Sequence, residues 1–364
     1  MPSGSARATL PLILRGDGDR QEVSAIVLVV LGGLFVLVCL ASLAVGPVPI
    51  PLSEVLLILM GSDSSQSVAS ASELVVRDIR APRTVMGVLV GAALAVSGAT
   101  LQSLFRNPLA DPGLVGVSAG AALAAVTVIV LGVPAVLVST GITTFELLPP
   151  AAFIGGLLTT LLLYAIATRQ GRTSTATMLL AGIAIAALAG ALTGVLVFIS
   201  TDQQLRDLTF WSLGSLAGAT WYKCAAIVVF ILPALLMSRF VANGLNGLLL
   251  GESQALHIGI QVQRTKILAV LLVALAVGAS VAVSGIIGFV GIVVPHILRL
   301  MIGPDNRYLL PACMFLGAIL LLGADMIARV IVAPAELPIG IVTAVLGGPF
   351  FLWLLLRQRG LVDV

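Results

Sequence analysis

The chain has 364 residues, 59% of them hydrophobic and only 10% charged, with a formal net charge of +3 and a mean hydropathy of +1.16. Soluble domains are roughly a quarter charged, so this composition excludes one and describes an integral membrane protein. Apolar runs of about 20 residues suit helices that cross a hydrocarbon core of ~30 Å, and the alternating pattern of a membrane β-barrel is missing.

The first 22 residues mix Arg7, Arg15 and Arg20 with Asp17, Asp19 and Glu22. The apolar run behind them is too long for a signal-peptide core, so residues 1–22 read as a cytoplasmic tail ahead of a retained first helix. Ten apolar spans follow, at about 23–45, 84–104, 114–131, 150–168, 178–199, 224–240, 267–283, 286–301, 309–330 and 339–356. The expectation is one all-α polytopic domain over residues 23–360, whose even number of spans places both termini on one side. With the termini inside, thirteen of the 19 Lys and Arg residues fall inside. The six outside are Arg77, Arg80, Arg83, Arg206, Lys223 and Arg329, so the positive-inside rule makes the termini cytoplasmic.

The second span, with Gly87, Gly91 and Gly98, offers small-residue faces for close helix packing. Just before it, Arg77, Arg80 and Arg83 cluster on the disfavoured side. The eighth span holds Gly288, Gly291, Pro295 and His296, and such a broken segment is tolerated only where neighbours or a water-filled path satisfy its backbone. Residues 245–260, LNGLLLGESQALHIGI, interrupt the apolar pattern differently. They are too short to span a bilayer and too apolar for an idle linker, and they read as two short helices joined at Gly251. An interfacial helix resting on lipid headgroups answers the same description.

The scattered Cys39, Cys224 and Cys313 do not form a disulfide framework, and isolated His257 and His296 do not suggest a metal site. A P-loop is missing, and neither lysine, Lys223 nor Lys266, follows a glycine-rich turn, so the chain is not expected to be an enzyme or to bind nucleotide itself. Ion coupling would need charges inside spans, which are costly and therefore mark function. Only Asp325 and Arg329 qualify, an i, i+4 pair that neutralises itself or faces an outside partner. A transporter without a motor of its own must be driven by a bound one.

Five stretches carry a family resemblance: RAPRTVMGVLVGAALAVSGATLQSLFRNPLADPGLVGVSAGA (80–121), TSTATMLLAGIAI (173–185), LNGLLLGESQALHIG (245–259), SGIIGFVGIVVPHILRLMIGPDNRYLLP (284–311) and ADMIARVIVAPAELPIGIVTAVLGGPFFLWLL (324–355). Together they resemble the permease subunits of iron-siderophore and cobalamin (FecCD-like, type II) ABC importers. The resemblance implies ten helices per subunit and a pore formed with a second permease subunit, the same chain or a sister. It also implies two ATPase subunits carrying ATP and Mg, a periplasmic or lipid-anchored substrate-binding protein, and residence in the bacterial inner membrane among lipid.

The family likeness assigns residues 245–260 as coupling helices seated in an ATPase cleft, with Leu249, Gly251, Glu252, Ala255, Leu256 and Gly259 as their core. It pairs Arg80, Arg83 and Arg329 with acidic residues of the binding protein. It also makes Asn107, Leu109, Ser174 and Thr175 a cytoplasmic gate, although Asn107-Pro108 also serves as a plain helix stop. Spans five and ten are expected to line the pore. The expected cargo is a ferric siderophore, with haem or cobalamin as alternatives inside the family and an ion-coupled secondary transporter as the rival outside it. No nucleic acid, bound cofactor or metal is expected.

Overall fold

A computed structural model describes residues 20–60, 67–134, 143–169 and 172–359. The expected N-terminal tail therefore lies, through residue 19, outside the described residues. Among the described residues, seven helices are long and apolar enough to cross a membrane: α1 (Gln21–Ala44), α4 (Ala81–Leu104), α6 (Thr144–Ala167), α7 (Thr175–Phe198), α9 (Trp221–Leu249), α11 (Val262–Ser284) and α13 (Asn306–Val330). Three shorter apolar helices, α5 (Val117–Leu131), α12 (Val290–Ile302) and α14 (Ile339–Arg359), fill the remaining positions. The ten match the ten expected spans one for one. Four helices do not span: α2 (Leu52–Leu59), α3 (Ser67–Leu74), α8 (Asp202–Ser212) and α10 (Glu252–His257). None of α2, α3 and α8 is among the expected spans, because each is short or too polar to cross a bilayer.

The core is built on α4, whose apolar window is 83% buried, against 11% for α1 and for α7. Small residues explain the difference. A Cβ on Gly91 would collide with the carbonyl of Gly317 on α13, and one on Gly98 with the carbonyl of Gly291 on α12. Backbones that approach this closely leave room only for glycine. Along α13, Arg83 meets Asp325, Gly91 meets Gly317 and Ser103 meets Asn306, which fixes an antiparallel register over the full span.

The broken eighth span is helical only from Val290 onward. Beside it, the 213–215 loop after α8 joins two other helix ends: Ser215 N–H donates to Ser284 O at the end of α11, and at the start of α14 Ile339 N–H donates to Gly214 O and Gly340 N–H to Leu213 O. The loop thus satisfies backbone groups of both helix ends, as a low-dielectric setting requires.

The bundle has two ends. At the arginine end lie the last turn of α1, the π-helical turn Val75–Arg80 and the start of α4. The hairpin end carries a two-stranded antiparallel pair, β1 (Thr168–Arg169) and β2 (Arg172–Thr173), with Thr168 opposite Thr173. There α10 lies beside the first turn of α11.

Candidate functional site

The 245–260 stretch does not form two short helices. Instead α9 runs unbroken for 29 residues to Leu249, about 43 Å at ~1.5 Å per residue, and so outruns a ~30 Å apolar core. Gly251 stops it with φ +108° and ψ +150°, a conformation open essentially to glycine alone. The single short helix α10 follows and ends at Gly259, again at positive φ (+84°).

Ala255 is fully buried against the bundle, while Leu256 (62% exposed), Ile258 (61%) and Leu250 (59%) point outward. Leu249 and Glu252 are half-buried and Gly259 is exposed. The six residues expected here therefore divide into inward support and outward surface, and Leu250 and Ile258 belong to that surface although the motif reading did not single them out. Their apolar side chains, in a segment that cannot span, were the available signal. Glu252 Oε1 lies 2.7 Å from Nζ of the buried Lys266 on α11.

At the other end lie Arg80, Arg83 and Arg329, the residues expected to pair with the binding protein, and within this chain they are only 4%, 5% and 3% exposed. Arg80 donates to the carbonyls of Leu43 (2.8 Å), Ala44 (2.7 Å) and Val48. Arg329 donates to the carbonyls of Ser42 (3.2 Å) and Val45 (3.3 Å). Together they clamp the C-terminus of α1, where orphan carbonyls and the helix dipole favour cations. Arg83 is held by Asp325 (2.9 Å) and by both oxygens of Glu336 (2.9 Å), and Arg329 by Asp325 (2.9 Å). Charges buried this deeply persist only when paired or fully hydrogen-bonded: Arg83 and Arg329 pair with carboxylates within the chain, and Arg80 is held by carbonyls. Arg77 is the exposed arginine of the cluster: its side chain is 51% exposed and it bonds Glu73 at 2.8 Å.

The expected gate residues lie at the hairpin end. Asn107 Oδ1 accepts from Leu109 N–H at 3.0 Å in a turn directly after α4. Ser174 caps α7 by accepting from Thr177 N–H at 3.2 Å, and Thr175 opens the helix. Among the described residues no hydrogen bond joins the two pairs. The loop reaches α7 further along instead, where Gly116 packs near Gly182 and Ile185. Within that loop, Asp111 Oδ1 accepts from Gly113 N–H at 2.8 Å, and burial pushes its carboxyl above the usual range.

A sequence profile of the FecCD transport family matches residues 34–357. The chain belongs to the FecCD transport family. It is a multi-pass ABC importer permease, a class that works with ATPase and substrate-binding partners. Among its relatives is the hemin transport permease HmuU of Yersinia pestis, 48% identical over 291 residues, which cover 78% of this chain and 83% of that one. The vitamin B12 permease BtuC of Vibrio cholerae is 40% identical over 347 residues, 95% of this chain and 98% of its own. A solved structure described as an inward-facing conformation of a metal-chelate type ABC transporter superposes with a TM-score of 0.79 at 30% identity, covering 92% of this chain and 99% of the other. The long α9, the break at Gly251 and the outward α10 therefore belong to the permease of an ABC importer, a class that works with ATPase partners.

Proposed function

We propose that this permease passes a metal chelate from a substrate-binding protein into the cytoplasm, driven by two separate ATPase subunits that hold ATP and Mg. The chain itself contributes no catalytic residue and binds no cofactor. The observation that carries this reading is the outward apolar surface of Leu250, Leu256 and Ile258 on and beside a short helix braced from behind by Ala255. Exposed apolar side chains on a non-spanning helix suit a protein interface whose core is apolar and whose rim, here Glu252, Ser253 and Gln254, is polar.

With the hairpin end cytoplasmic, as the positive-inside count supports, both termini face the cytoplasm of the inner membrane and the arginine end faces the binding protein. Docking through Arg83 then requires Glu336, half-exposed in its bidentate pair, to yield to a partner carboxylate. The apolar outer faces of α7 and α14 are where a second permease subunit completes the pore, with lipid on the remaining surface. Asn107, Leu109, Ser174 and Thr175 line the cytoplasmic mouth of that assembly.

For cargo, the relatives named above are hemin and vitamin B12 permeases, so a macrocyclic metal chelate stands ahead of the ferric siderophore expected from sequence. An ion-coupled mechanism is disfavoured because the intramembrane carboxylate Asp325 is paired with two arginines. The test is uptake of hemin, cobalamin and a ferric siderophore by cells with and without the gene, together with recovery of a P-loop ATPase on the tagged permease. Recovery of no ATPase, with uptake that follows an ion gradient, would overturn the proposal.

A further inference from the structure

Lys266 is 2% exposed and Thr173 3%, yet both sit at the hairpin end, where most charged side chains reach solvent. The lysine makes two contacts: an ion pair with Glu252 Oε1 at 2.7 Å and a hydrogen bond donated to Thr173 O at 2.5 Å. One turn earlier on the same face of α11, Gln263 takes hold of the same threonine. Its Oε1 accepts from Thr173 N–H at 3.1 Å, its Nε2 donates to Thr173 Oγ1 at 2.7 Å, and Nε2 also reaches Tyr164 Oη on α6 at 3.0 Å. The backbone N–H, backbone carbonyl and hydroxyl of Thr173 are all taken by two α11 side chains, and Thr168 Oγ1 adds a fourth contact at 2.8 Å. The next residue, Ser174, caps α7, whose apolar window, level with that of α1, is the least buried among the seven long helices.

We infer that Lys266 and Gln263 are positioning residues for transport, a staple that carries displacement of α10 through Glu252 to the β1–β2 hairpin and so to the start of α7. The inference rests on the proposed meeting of α10 with an ATPase. The chemistry favours a mechanical role. A buried ammonium holds its geometry only while both acceptors stay in place, so a shift of Glu252 moves the amine and the amine moves Thr173 O. A simple packing role asks for neither charge nor a doubly anchored backbone, because a leucine or methionine fills the same volume without a desolvation cost. Coupling is carried by contiguous contacts of this kind when the elements they join have two arrangements.

The experiment uses the full-length permease reconstituted with its ATPase, in a background where Cys39, Cys224 and Cys313 are replaced and the exposed Arg172 of β2 is changed to cysteine and labelled. ATP with vanadate, against nucleotide-free buffer, is expected to shift the label's signal in the otherwise unaltered protein. Lys266→Met and Gln263→Leu are each expected to cut that shift by about fivefold or more, while the ATPase still copurifies. Lys266→Arg, which keeps a buried cation and donors for both acceptors, is expected to restore it. Gln263 lies away from α10, so its variant tests the relay without touching the surface offered to the ATPase. A normal shift in both variants overturns the inference, and so does loss of folded protein in both, which would leave the contacts purely structural. If the unaltered permease recovers no ATPase, the parent reading falls first and the inference with it.

Discussion

Arg83 on α4 donates from Nη2 to Asp325 Oδ1 on α13 at 2.9 Å, joining residues 242 positions apart in the chain. The other Asp325 oxygen lies 2.9 Å from Arg329, and the carboxylate is fully buried. Removing it leaves two buried guanidinium groups short of a partner, a loss of about 3–5 kcal/mol by analogy with other broken buried pairs. Asp325→Leu is therefore expected to lower the thermal midpoint of the detergent-purified permease markedly. Glu336→Gln should cost about 1 kcal/mol or less, because Glu336 is partly solvated and its amide still accepts from Arg83. Equal losses in the two variants would show that the network is not centred on Asp325.

The outward side chains of α10 make the opposite prediction for stability. Leu256 and Ile258 are each more than 60% exposed, so a glutamate at either position should change the permease's own stability by no more than about 0.5 kcal/mol. Recovery of the ATPase should nonetheless fall sharply, because a buried charge at an apolar interface core is left without a partner. Copurification at the unaltered level from both Leu256→Glu and Ile258→Glu would move the interface elsewhere.

These two ends differ in how far the sequence foretold them. The ten spans were legible because apolar length is a one-dimensional signal, and the Gly91 and Gly98 faces because their spacing sets them on one side of a helix. The break at Gly251 was legible too. The length of α9 was not, since Val241–Leu249 continues the helix through a mixture of polar and apolar residues that resembles an independent surface element. The i, i+4 pair of Asp325 and Arg329 was legible as well, but the burial of Arg80, Arg83 and Arg329 was hidden for a different reason. It depends on the end of α1, which Arg80 and Arg329 clamp, and on Asp325 and Glu336, which lie far from Arg83 in the chain and reach it only through the antiparallel register of α4 and α13. Lys266 likewise looked like one more positive-inside charge until Glu252 and Thr173 enclosed it.

Gly251 links the end of α9 to α10, and its backbone angles are those that side chains rarely adopt. A Cβ there meets only the Arg106 guanidinium, 3.7 Å away, so crowding is not the obstacle. Strain is: Gly251→Ala should cost about 1–3 kcal/mol if the backbone holds its angles. If the backbone relaxes instead, α10 turns away from its present direction. Either way ATPase recovery should fall, whereas Gly33→Ala on α1, where the added methyl meets open space, should leave it unchanged. Wild-type stability and recovery in Gly251→Ala would mean that the break tolerates an ordinary residue.

Asp305 gives a test by pH. It caps α13, and Arg307 donates to it from Nη2 at 2.6 Å and from its backbone N–H at 2.9 Å, while Asn246 Nδ2 donates at 2.7 Å. Burial raises its carboxyl, but the hydrogen bonds from Arg307 and Asn246 outweigh burial and hold it below the ordinary carboxylate value. A carboxyl depressed in the folded state binds protons more tightly when unfolded. Its stabilisation is then fully present above the unfolded value of ~3.9 and fades as pH falls through the lower folded value. The gap in thermal midpoint between the unaltered permease and Asp305→Asn should accordingly be constant from neutral pH down to about pH 5 and shrink on further acidification. A gap that stays constant down to the acid limit of folding would show that the hydrogen-bond geometry of the cap, which asparagine shares in part, matters and the charge does not.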